Sequence, residues 1–248
     1  MAAKDTKLMV FAHLGTAWAP CGQLVLTEEA DRLLASSFAY GLNYLKRSDA
    51  LEVDPVNLSL ADREAVRAKR LLPANRLPFF GGIRDAAPDA WGRRVIEAKL
   101  KVPANSLPES QYLLHAGSER VGALDIRRNL DDSPAVGAGA WHTLTHLLEA
   151  AERIDEGHPI PAHLEAIFVD GTALGGARPK ASIRDEAGVL CLAKFANRHD
   201  AFDIPAIECA SGAATSPRPA CQRPSRTRSP RRFATSTMCP RQPCGSCF

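Results

Sequence analysis

The segment Gly171-Thr172-Ala173-Leu174-Gly175-Gly176-Ala177-Arg178-Pro179-Lys180 leads into Ala181-Ser182-Ile183-Arg184, the polar turn Asp185-Glu186-Ala187-Gly188, and Val189-Leu190-Cys191-Leu192-Ala193-Lys194-Phe195. Alternation on both sides of the turn predicts a β-hairpin over residues 181–195. The glycines before it let backbone N–H groups approach a phosphate closely and take up positive φ. A Gly-Gly pair fits an ordinary tight turn equally well, and the GxxxxGK[ST] phosphate loop is absent. Lys194 is the second element, a base at the end of a strongly apolar strand. A buried ammonium is costly unless paired; a lysine at a strand end can also snorkel to solvent. Glu208 lies fourteen residues on, where a helix can begin after Asp203-Ile204-Pro205.

Upstream, residues 7–14 (KLMVFAHL) and 22–27 (GQLVLT) read as strands of a small antiparallel sheet, with Ala19-Pro20-Cys21-Gly22 as the turn. Residues 38–45 read as a third strand. Pro88 stands where a first helical residue would, ahead of a helix over 89–100; a short helix follows Pro108, and 121–127 is strand-like. Residues 131–139 (DDSPAVGAG) form a polar linker, the expected domain boundary. Beyond it, Trp141, Leu144, Leu147, Leu148, Ala151 and Ile154 recur at helical spacing. No stretch of 18 apolar residues occurs, and the N-terminus does not read as a secretory signal, so a cytoplasmic protein with no membrane contact is expected.

Composition breaks near residue 211. Residues 211–248 hold seven Arg, six Pro and four of the seven Cys, but no Asp, Glu, Lys, Leu, Ile or Val. Without periodic apolar residues this stretch is expected to be disordered. It also carries the apparent basicity: residues 1–210 hold 24 basic and 28 acidic side chains, a net of −4. The part expected to fold therefore carries no nucleic-acid stripe. Arg, Pro, Ser, Ala and Cys together are what GC-rich codons give out of frame, so a frameshift near residue 210 is expected.

With these elements in order, the chain resembles the HipA family of toxin kinases from bacterial toxin–antitoxin systems. The resemblance rests on five patches: residues 80–94 (FGGIRDAAPDAWGRR), 117–124 (GSERVGAL), 175–181 (GGARPKA), 192–195 (LAKF) and the region of Glu208. It implies an α+β fold. A β-rich N-terminal subdomain (1–130) would precede a partial protein-kinase-like N-lobe (131–210) and the disordered tail (211–248). It implies a Ser/Thr protein kinase with ATP and Mg as cofactors, held by a helix-turn-helix antitoxin. Gly175, Gly176, Ala177, Arg178 and Lys180 would form the phosphate-facing loop. Lys194 would anchor the nucleotide, with Glu208 as its structural partner.

Two departures weaken the chemistry. The family's autophosphorylated Ser falls at Ala173, beside Thr172. No residue matches the catalytic Asp or the metal-binding Asp: Arg198-His199-Asp200 follows Lys194 too closely, with no Asn four residues after Asp200. The expectation is therefore no catalytic or metal residue, no phosphotransfer, and weak or absent ATP binding. The alternative is a non-catalytic module that engages antitoxin or nucleotide. Three weaker signals are set aside. His142 and His146 share a helix face but lack a third metal ligand; Cys244-Gly245-Ser246-Cys247 has no strand before it; and the Arg-rich tail could bind nucleic acid only non-specifically.

Overall fold

Apolar side chains at Leu8, Val10, Ala12 and Leu14 alternate along one strand and are all buried, so one face of that strand lies on a core. The strand is β1 (Lys4–Leu14) in a computed structural model that describes residues 2–118, 122–135, 139–140, 144–165, 179–184, 190–195 and 237–240. The chain divides into two units, Met1–Gly137 with Thr172–Gly175, and Ala138–Gly171 with Gly176–Phe248. The described residues are of mixed α and β type with antiparallel sheet in both units.

In the first unit, β1 pairs antiparallel with β2 (Ala17–Glu29), which pairs with β3 (Arg32–Tyr40). The short β4 (Leu124–Arg127) pairs with the other side of β1, giving the order β3-β2-β1-β4. The first turn is not at residues 19–22, as expected from sequence. It is at Gly15-Thr16, where Leu14 faces Ala17 and Gly15 has φ +61°, a conformation that suits glycine in a two-residue hairpin turn. Residues 19–22 instead form a β-bulge. Val10 faces Gly22 and Phe11 faces Pro20, so Cys21 is the extra residue. A bulge removes a ladder bond locally, which is where a proline is tolerated in a strand. It also switches the side-chain parity, so Ala19 and Cys21 join Leu24 and Leu26 in the same core.

The expected third strand over 38–45 ends at Tyr40. Gly41 follows, and Leu42–Leu45 is a single helical turn, α1. A loop-rich stretch then carries α2 (Arg63–Val66), a 3-10 turn (Ala74–Arg76) and α3 (Gly81–Ala86). Helix α4 is Ala90–Leu100. Its N-cap is Asp89, whose carboxylate accepts from Trp91 N at 3.2 Å and Gly92 N at 3.5 Å; Pro88 therefore stands outside the helix rather than in its first turn. Helix α5 (Glu109–His115) follows Pro108, and the buried Glu28 of β2 accepts from its Ser110 N at 2.8 Å. A carboxylate at that end is favoured by the helix dipole.

In the second unit, α6 (Leu144–Asp155) buries Leu147, Ala150, Ala151 and Ile154. That stripe has the spacing expected from sequence. The sheet has the order β5-β6-β7-β8: β5 (Gly139–Ala140) runs parallel to β6 (Lys180–Arg184), which is antiparallel to β7 (Leu190–Lys194). β8 (Thr237–Pro240) is antiparallel to β7, pairing Cys191 with Pro240 through Lys194 with Thr237. The expectation of a tail without regular structure is corrected at these four residues. A strand edge recruits a partner through backbone groups, so little apolar periodicity is needed. The rest of 211–248 lies outside the described residues. Among the described residues, no helix is long and apolar enough to cross a membrane.

Candidate functional site

Lys180 and Lys194 face each other across the β6–β7 hairpin. The register runs from Lys180 opposite Lys194 to Arg184 opposite Leu190, and Phe195 N donates to Pro179 O at 3.0 Å. That bond lies just outside the lysine pair, which is therefore the non-hydrogen-bonded type. In such a pair the Cα atoms are about 4.5 Å apart and the side chains leave the same face. Two residues 14 positions apart in sequence are thus brought to one spot.

Lys180 is 8% exposed and Lys194 is half-buried. Ala181, Ala193 and Phe195 beside them are fully buried. The alanines project to the opposite face of the hairpin, where packing fixes the strand pair that carries the lysines. Each lysine also interacts with other groups of the chain. Like charges directly opposite on a sheet repel. At about 4 Å, two unit charges cost about 1 kcal/mol in water and about 4 kcal/mol at an effective dielectric of 20. A polyanion set over the pair reverses the sign of that term.

Of the other expected site residues, Gly175, Gly176, Ala177, Arg178 and Glu208 lie outside the described residues. So do Thr172, Ala173, Arg198, His199, Asp200, His142 and Cys244–Cys247. His146 lies edge-on to His163 with ring centroids 6.2 Å apart. Among the described residues no group of three or more His, Cys, Asp or Glu could hold a metal ion.

Buried polar groups that periodicity did not reveal organise the first unit. The carboxylate of Asp125, 2% exposed, accepts from Ser118 Oγ at 2.6 Å and from Arg127 Nε at 2.7 Å. Arg127 also donates to Asp132 O at 2.9 Å and lies 4.0 Å over the Phe11 ring. Ser118 Oγ accepts from Ala135 N at 2.8 Å. Within 117–124, Ser118 thus links Ala135 to Asp125 of β4.

The patch 80–94 is likewise structural. Phe80 and Trp91 are fully buried, and Gly82 packs so closely that a Cβ there would meet Val53 O at 2.0 Å. The neighbouring Asp54 also holds α3, accepting from Gly82 N at 3.3 Å, and it accepts from Val56 N, Asn57 N and Asn57 Nδ2. Burial pushes the Asp54 carboxyl up, but these bonds together outweigh it and hold the group below its ordinary value. Glu97, buried in α4, accepts from Asn105 N at 2.7 Å and from the Tyr112 hydroxyl. Burial, then that bond and the Glu97 charge, push the Tyr112 hydroxyl up to about 12. The partners in these contacts are up to 82 positions apart, as Glu28 and Ser110 are, so no local motif announces them. The only hints were acidic or tyrosyl residues inside apolar stretches.

Comparison of the chain with protein-family models, with curated proteins and with solved structures found no match in any of the three.

Proposed function

We propose that this chain binds the phosphates of a nucleotide through Lys180 and Lys194 and does not transfer phosphate. The observation that supports this most is the lysine pair itself: two ammonium groups on one face of a packed hairpin, directly after a glycine-bearing loop. A nucleoside triphosphate supplies adjacent negative oxygens, and a charge-assisted bond is roughly twice as strong as a neutral one. The order glycine loop, hairpin, lysine also matches the HipA-like kinase pattern, in which ATP is the nucleotide. On that reading the second unit corresponds to part of a kinase-like N-lobe, the protein works in the cytoplasm, and a helix-turn-helix antitoxin is its partner.

For magnesium, which the resemblance implies, the described residues offer no group of three or more His, Cys, Asp or Glu. Within residues 1–248 no Asp has an Asn five positions on, so the sequence offers no kinase catalytic loop of the form Asp-x-x-x-x-Asn. Phosphoryl transfer depends almost entirely on positioning and charge stabilisation at the γ-phosphate. Binding without transfer follows.

Equilibrium titration of the full chain with ATP tests the reading. Saturable binding is expected, weakened about tenfold or more by Lys194→Ala, the loss of one charge-assisted contact of about 1.5–3 kcal/mol. Incubation with ATP labelled at the γ-phosphate should leave the protein unlabelled. Binding that ignores Lys194→Ala, or label that appears on the chain and vanishes in that variant, contradicts the proposal.

A further inference from the structure

The first unit carries a surface that neither the nucleotide reading nor the core explains. From residue 65 to residue 84 the chain has five bases, Arg67, Lys69, Arg70, Arg76 and Arg84, and no acid. Within and beside this stretch, large apolar side chains stand in solvent: Val56 is 81% exposed, Leu72 66% and Leu77 47%. Hydrogen bonds gather them. Ala74 N donates to Asn57 Oδ1 at 2.7 Å, joining the loop that carries Val56 to the one that carries Leu72. Leu77 N donates to Ala74 O at 3.2 Å, closing a turn between Leu72 and Leu77. Leu71 bridges to Phe38 of β3, which fixes the base of the patch on the sheet.

Among the described residues, Arg67 alone of these five bases has an ion pair. Arg67 has a 3.3 Å ion pair with Glu64, and Arg70 donates to Ser37 Oγ at 2.7 Å. Lys69 and Arg76 are exposed. On the facing loop Asp54 is buried and turned to Asn57 and Gly82, and the exposed Glu52 accepts from Ser59 Oγ at 2.8 Å and Leu60 N at 2.7 Å. The loop also holds Asn75 and Arg76 at φ +57°, a backbone state that costs about 1 kcal/mol or more for a non-glycine residue. That conformation sets the Arg76 end of the patch.

Exposed apolar area beside bases is the complement of a segment with the opposite charge and its own apolar side chains. We infer that the surface around Val56, Leu72 and Leu77, rimmed by Lys69 and Arg76, docks an acidic, leucine-bearing peptide segment of a protein partner. The apolar residues at its centre favour a protein over a nucleic acid, whose contacts are dominated by phosphate. Basic and apolar side chains together also describe a surface for anionic lipid. Against lipid stands the small number of apolar groups and their position on loops rather than along one long amphipathic helix.

The test uses the full chain and a fluorescent synthetic peptide of about 16 residues, with Leu at helical spacing among Asp and Glu. Binding in the micromolar range is expected, falling at least about tenfold in Lys69→Glu/Arg76→Glu and in Val56→Ser/Leu72→Ser, and weakening with salt over the Debye range. These are surface positions, and circular dichroism checks that the variants fold. A peptide with Leu replaced by Ser should bind far less. Lys194→Ala should leave peptide binding unchanged, which separates this result from the nucleotide reading. Absence of peptide binding overturns the inference. So does equal binding by all variants, or stronger variant-sensitive binding to phosphatidylserine vesicles or a DNA oligonucleotide than to the peptide.

Discussion

Replacing Asp125 by Asn isolates what the buried bracket in the first unit contributes. Asp125 and Arg127 are 2% and 8% exposed, and their 2.7 Å bond gives the guanidinium its carboxylate partner. Asn keeps the shape and can still meet Ser118, but leaves a buried cation without its counter-charge. Breaking one side of such a pair costs about 3–5 kcal/mol. Against a total stability of about 5–15 kcal/mol, that is a large share. With a urea slope of about 2 kcal/mol/M, the unfolding midpoint should fall by about 2 M. The Trp18 ring centroid lies 5.7 Å from the Arg127 guanidinium, so the share of emission from Trp18, one of three tryptophans, reports on this region. The double variant Asp125→Asn/Arg127→Met removes the stranded charge and fills its space with an apolar chain. It should recover most of the loss, giving a coupling energy of about 2 kcal/mol or more in a double-mutant cycle. An Asp125→Asn midpoint equal to wild type, or a double variant no more stable than the single one, refutes the reasoning.

Three further outcomes follow from the same structure. Gly82→Ala should destabilise the first unit severely, because the new Cβ meets the Val53 carbonyl rather than a movable side chain, whereas Gly15→Ala, at φ +61° with open space around it, should cost only about 1 kcal/mol by denaturant titration. The depressed Asp54 carboxyl contributes stability that is present above its unfolded value near 3.8 and is lost as pH falls through its lower folded value; Asp54→Asn should therefore be less stable at pH 7 and show a flatter acid limb in pH-dependent unfolding. Burial pushes the Cys21 thiol up to about 12, so peptide mapping after alkylation at pH 8 should find Cys21 unmodified in the native protein and modified in urea.

Local signals made several elements legible from sequence. The alternation around residues 7–14, the α6 stripe and the 181–195 hairpin are set by side-chain period, and each has its counterpart in β1, α6 and β6–β7. The Ala19-Pro20-Cys21-Gly22 turn failed because proline and glycine mark a bulge as readily as a turn; the difference lies in what Phe11 pairs with across the hairpin. The stretch from residue 46 to 88 carried no long period, since it is held by single contacts such as Tyr40 Oη to Leu58 O at 2.6 Å and the Asp54 cluster. For the candidate site, Lys194 at a strand end and Lys180 in the preceding loop were both legible in sequence, but their pairing was not. Only the hairpin register sets Lys180 opposite Lys194.

If the lysine pair reads phosphate, affinity must depend on the number of phosphates. AMP, ADP, ATP and inorganic tripolyphosphate should be titrated calorimetrically into the full chain, Lys180→Ala, Lys194→Ala and the double variant. Affinity should rise with phosphate number, tripolyphosphate should compete with ATP, and the two single losses should couple, because both ammonium groups contact one anion. If affinity is the same for AMP and ATP, or if the double variant binds ATP as wild type does, the lysine pair is a structural feature of the hairpin and does not bind phosphate.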